Sequence, residues 1–137
     1  MKIKTQILSE AGLQTLKMAN EHNVAVCITV IVEGAHVVYQ IRMDDANFLT
    51  NEVSFLKAKT AFLFKCPSHI LRSITEKVPV LVQAIQQAPG DACMLEGGLP
   101  LKYDDKVVGG VGVSGGNFEE DLLIATYFVD HLRALQA

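Results

Sequence analysis

Gly110-Val111-Gly112-Val113-Ser114-Gly115 spells a formal G-x-G-x-x-G ahead of a helical stretch, the pattern that cradles a pyrophosphate in dinucleotide-binding folds. That chemistry needs the motif between the first strand and first helix of a βαβ unit, with an acidic residue about 20 positions further on. Here no second parallel strand is expected after the motif. Glu119, Glu120 and Asp121 open the following helix, where their charges repel a pyrophosphate. The remaining reading is that these glycines let a strand lie close to another backbone or to a flat ligand. Gly97-Gly98-Leu99-Pro100 is a second glycine cluster, either a tight turn or a wall where main chain approaches a bulky ligand that any Cβ would strike.

The histidines at 22, 36, 69 and 131 lack the i,i+4 spacing of a helical metal pair, so a zinc or di-iron centre is not expected. His36 begins a strand straight after a turn, either as a surface or hydrogen-bonded residue or as a neutral imidazole placed to ligate a haem iron. Cys66, followed by Pro67 at a helix start, is the second soft-ligand candidate, because a helix dipole lowers a thiol pKa, and a helix-terminating Cys-Pro explains the pair equally well. Lys57, Lys59, Lys65, Arg72 and Lys77 gather five of the twelve basic residues, with Glu76 the one acid among them. They suit carboxylates such as the propionates of a tetrapyrrole, or a solvated helical face. Arg42 beside Asp44-Asp45 offers a carboxylate-binding group next to acid–base candidates. Ser114 lies in Val-Ser-Gly-Gly rather than a Gly-x-Ser-x-Gly elbow and has no local histidine, so no catalytic residue is assigned.

The elements that position these groups follow from periodicity. Residues 5–22 carry Ile7, Leu8, Ala11, Met18 and Ala19 on one helical face. The stretch from Val24 to Val32 is β-branched and continuously apolar, as a central strand covered on both faces would be. After the turn Glu33-Gly34-Ala35, residues 36–43 return as a hairpin strand. A helix is expected near 50–65, capped by Thr50 or Asn51 with Glu52 in its first turn. Pro67 stops it. Ser68 caps a short helix over 69–77, and Pro79 opens another through Gln87. Pro89-Gly90 is a turn, followed by short strands near 92–95 and 99–103. Asp104-Asp105 closes a hairpin onto a strand over 106–114, and Asn117 with Glu120 has capping-box spacing for a final helix over 118–135. This order predicts an α+β fold, an antiparallel sheet flanked by helices, in one domain spanning 1–137.

Composition sets the outer bounds. The 137 residues are 50% hydrophobic and 20% charged, enough for one core. A net charge of −3 argues against nucleic-acid binding. Three cysteines, 27, 66 and 93, form no Cys-x-x-Cys pair and fit a reducing cytoplasm. No apolar region follows the basic residues of the N-terminus, so no signal peptide is expected, and the apolar run from Val24 to Val32 is too short to span a membrane.

Taken together, Glu33-Gly34-Ala35-His36, Arg42-Met43-Asp44, Lys57-Ala58-Lys59-Thr60-Ala61, Gly97-Gly98-Leu99-Pro100 and Val113-Ser114-Gly115-Gly116 with Asp121 resemble the GlcG/HbpS family of haem-binding-like proteins. That family includes the C-terminal domain of PduO-type corrinoid adenosyltransferases. The resemblance implies an α-β-α sandwich with a five-stranded antiparallel sheet, profilin-like or PAS-like, and a homo-oligomer, dimer or higher. It also implies a ligand, haem or a related tetrapyrrole such as a corrinoid. His36, Arg42, Lys57, Gly97, Gly98, Ser114 and Asp121 would bind it, with His36 or Cys66 on the metal. Glu33 and Ala35 depart from the family's usual Asp and Gly. Two other functions stay open: an enzyme or operon accessory acting on an organic acid or diol-derived substrate, with Asp44 or Asp121 as base, and a structural partner subunit without ligand.

Overall fold

The computed structural model describes residues 3–87 and 91–137; the Pro89-Gly90 turn lies outside them. Helix α1 (Thr5–Glu21) leads into strand β1 (Cys27–Val32), whose residues are buried up to Val32 because sheet and helices enclose it on all sides. The Glu33–Ala35 turn holds Gly34 at φ +82° and Ala35 at φ +59° and reverses the chain into β2 (His36–Arg42). Helices α2 (Leu49–Phe64), α3 (Ser68–Lys77) and α4 (Leu81–Gln87) follow, then β3 (Gly98–Tyr103), β4 (Lys106–Ser114) and α5 (Phe118–Gln136). The strands form one antiparallel sheet in the order β2-β1-β4-β3. Asp104 and Asp105, both in the left-handed region, make the tight turn between β3 and β4.

Among the described residues the sheet has four strands, not five. Residues 92–95 stay irregular because side chains from α2 and α3 take their backbone groups. Thr60 accepts from the Cys93 N–H at 2.8 Å, Arg72 donates to the Met94 carbonyl at 3.3 Å, and the Ser68 hydroxyl donates to the Leu95 carbonyl. With those groups satisfied, no neighbouring strand is required. The expected caps shift for a related reason. Pro67 occupies the N-cap of α3 while the Ser68 hydroxyl braces the 95–98 segment, also accepting from Gly98 N–H at 3.0 Å. Phe48 occupies the N-cap of α2, and Thr50 donates back to the Asn47 carbonyl at 2.6 Å. The Asn117–Glu120 capping box is present, both of its hydrogen bonds formed.

Helices α1 and α5 cover one face of the sheet and α2 covers the other. The first face holds Leu8, Val26, Ile28, Val30, Val111, Val113, Ile124 and Phe128, with Tyr39 stacked 6.3 Å from the Phe128 ring. On the second face the glycines of β4 find their reason. A Cβ on Gly110 would come within 2.2 Å of the Ala58 carbonyl oxygen, and one on Gly112 within 1.8 Å of the Ser54 carbonyl oxygen. Bare backbone on β4 therefore lets α2 press directly onto the sheet. In the pairing of β1 with β2, Val30 faces Tyr39 but Ile31 faces Val37, so Val38 is an extra residue and forms a bulge.

Gly112→Ala forces backbone against backbone where neither side can yield, and is expected to cost about 3 kcal/mol. Thermal denaturation should show the loss, with the secondary-structure signal of the folded state retained.

Candidate functional site

Five of the seven expected ligand-binding residues converge, but on a structural knot. Lys57, inside α2, is 2% exposed; its ammonium donates to Asp121 Oδ2 at 2.9 Å and to the Val113 carbonyl at 2.8 Å. Asp121, in the first turn of α5, accepts from Gly116 N–H at 2.8 Å through its other oxygen. Burial pushes the Asp121 carboxyl above the usual aspartate range, against the pull of the Lys57 ammonium and the Gly116 N–H. Gly97, at φ +116°, fits beneath this pair: a Cβ there would lie 2.4 Å from the Val113 carbonyl oxygen and 3.2 Å from Lys57 Nζ. One on Gly98 would lie 2.4 Å from the Lys57 carbonyl oxygen. Ser114, buried, ends β4 between Val113 and the Gly115-Gly116 turn.

The expected glycine wall is therefore corrected. Its missing side chains make room for this protein's own helix and ion pair, not for a flat guest. Lys57 is likewise removed from the expected set of propionate-holding cations. So is Arg72, whose guanidinium grips Glu96 with two bonds, 2.7 and 3.2 Å long, and holds that carboxyl below the usual range.

Two open clefts lie at opposite ends of β1. The first, about 790 Å³, is walled by Leu8, Val32, Val38, Phe62, Leu63 and Val108 and carries Lys65 and Lys106. His36 is exposed and pairs across the ladder with Val32, so the two side chains share a face beside this cleft. The imidazole folds over Gly34, where a Cβ would lie 2.9 Å from its Cδ2. Lys106 was not singled out in the sequence. It starts the strand after the Asp104-Asp105 turn, and antiparallel pairing brings the start of β4 to the end of β1, where β2 begins. Hairpin arithmetic alone would have found it.

Cys66 follows α2 directly after Lys65 and is partly buried. Burial pushes its thiol up, the reverse of the expected activation by a helix dipole, so a ligating thiolate is disfavoured. Among the described residues no three His, Cys, Asp or Glu side chains gather as a metal site. No described helix is long and apolar enough to cross a membrane.

The second cleft, about 570 Å³, lies between the end of α1, the approach to β1 and the loop after β2. Arg42 lines it. One guanidinium nitrogen donates to the Ala46 carbonyl at 2.7 Å, and the guanidinium carbon stands 4.7 Å from the centre of the Phe48 ring. The structure thus separates His36 from Arg42, and both from the Lys57–Asp121 pair.

Lys57→Met leaves Asp121 buried without its cation and should cost about 3–5 kcal/mol in chemical denaturation. The Lys57→Met/Asp121→Asn double variant keeps an acceptor for Gly116 without the charge and should recover part of that loss. The raised Cys66 thiol pKa means little thiolate at neutral pH. Iodoacetamide labelling of Cys66, mapped by peptide mass, should be slow at pH 7 and should keep rising as pH passes the ordinary thiol value, where an unburied thiol levels off.

The HbpS-like family, described as haem degrading protein HbpS-like, matches residues 3–130. An uncharacterised 15.0 kDa protein from the dhaT-dhaS intergenic region of Citrobacter freundii is 33% identical over 112 residues, covering 82% of this chain and 79% of that one. Among solved structures, Klebsiella pneumoniae protein ORFY superposes with a TM-score of 0.88 at 30% identity, over 96% of this chain and 91% of that one. The PduOC:heme complex superposes at 0.86 with 24% identity, over 96% and 95%, a likeness of fold. This chain belongs to the HbpS-like family.

Proposed function

We propose that this protein binds haem in the cleft at the end of β1 that carries Lys65 and Lys106. The observation that carries this reading is the composition of the cleft: mostly aliphatic and aromatic walls, two ammonium groups against the one carboxylate of Glu33, and beside it an exposed imidazole paired across the ladder with Val32. Those residue types fit the group. Apolar walls take the macrocycle, lysines take its propionates, and a histidine takes the iron. The family description and the heme-bound relative of the same fold lend support. Haem, when bound, supplies a redox-active iron. The chain's own part is to seat and orient it, with His36 as the ligand and Lys65 and Lys106 as anchors. Cys66 has no part in this reading.

Haem titration followed by absorbance tests it. Wild type should give a saturable Soret shift, and His36→Ala should abolish or displace that band. Lys65→Glu/Lys106→Glu should weaken binding about tenfold, roughly 1.4 kcal/mol, while Cys66→Ser leaves it unchanged. An identical band in wild type and His36→Ala removes the imidazole from the reading, and a featureless titration of wild type ends it.

A further inference from the structure

The second cleft shares no residue with the first and carries a different chemistry. Arg42 is fixed there along one edge and one face. Its Nη1 donates to the Ala46 carbonyl at 2.7 Å and to the Met43 carbonyl at 3.3 Å, and its plane covers Phe48. Nε and Nη2 have no acceptor among the described residues. A guanidinium already immobilised in this way loses little freedom on gripping a carboxylate with its remaining edge.

Asp44 and Asp45 line the same cleft, both exposed and neither in an ion pair among the described residues. The charges decide the class of ligand. A simple carboxylate that reaches Arg42 meets two negative side chains, and a simple amine that reaches the aspartates meets a guanidinium. A molecule carrying both charges a bond or two apart meets neither penalty. Asn20 and Asn23 add amides whose side chains are also without partners among the described residues, and Leu16 and Ile41 offer apolar surface beyond the polar groups. At about 570 Å³ the cleft is within the usual range for a small-molecule site.

We propose that this cleft binds a small zwitterion of the α-amino acid class, its carboxylate on Arg42 and its ammonium on Asp44 and Asp45. The site is independent of haem binding.

Isothermal titration with L-leucine, 4-methylpentanoate and 3-methylbutylamine separates the charge requirements. Leucine should bind, and each single-charge analogue should bind at least about tenfold more weakly, a difference of roughly 1.4 kcal/mol. Arg42→Gln should lose leucine. Because Arg42 also holds its loop, the fold of that variant is checked by circular dichroism, and the Asp44→Asn/Asp45→Asn variant carries the test if it fails. In that double variant leucine should weaken by about tenfold and 4-methylpentanoate should gain. Three outcomes each overturn the proposal: no heat from leucine up to about 10 mM, where even a site of about 1 mM would fill, equal binding of all three compounds, or unaltered leucine binding in the aspartate variant.

Discussion

The structure depends on one buried contact, the ammonium of Lys57 against the carboxylate of Asp121. A charge pair out of water is costly unless further bonds offset the lost hydration, and here the backbone supplies one to each partner. The Val113 carbonyl takes a second proton of the lysine, and the Gly116 N–H occupies the other carboxylate oxygen. Four pieces of chain are fixed at this point: α2, the end of β4, the turn after it and the first turn of α5. Gly97 closes the fifth side, its N-terminal neighbour Glu96 held by Arg72. The pair joins α2 on one face of the sheet to α5, which covers the other.

The same closeness explains why α2 reads poorly as an amphipathic helix. Its buried positions are Thr50, Ser54, Lys57, Ala58, Thr60 and Ala61, small or polar residues that let it settle onto glycine backbone. Ser54 continues the polar seam by bonding the Thr29 hydroxyl at 2.7 Å, and Gln40 reaches that hydroxyl from β2 at 2.8 Å. An interface built this way gains contact through short separation rather than through bulky apolar side chains.

Much of the fold was legible in the sequence because periodicity and turn chemistry agree with it. The buried strand, the two hairpins, the capping box at Asn117 and the final helix all appear where local pattern places them. The fifth strand was misread because Cys93, Met94 and Leu95 have the residue types of a strand, while the groups that satisfy their backbone come from Thr60, Ser68 and Arg72, far away in sequence. The glycine clusters were legible as places of close approach, but a single sequence does not say what approaches. A lysine in a basic run looks like a surface cation, and only the distant Asp121 makes Lys57 an interior one. The candidate clefts were harder still, since each is assembled from stretches that lie apart in the sequence.

The bulge at Val38 reaches beyond local geometry. His36 and Arg42 are six residues apart, an even interval that would aim both side chains the same way along an unbroken strand. The extra residue reverses that parity: the imidazole falls in with Val32, on the side of Tyr39 and Val30, and the guanidinium with Cys27, on the side of Ser54. Two groups that stand in one short peptide thus point to opposite faces of the sheet.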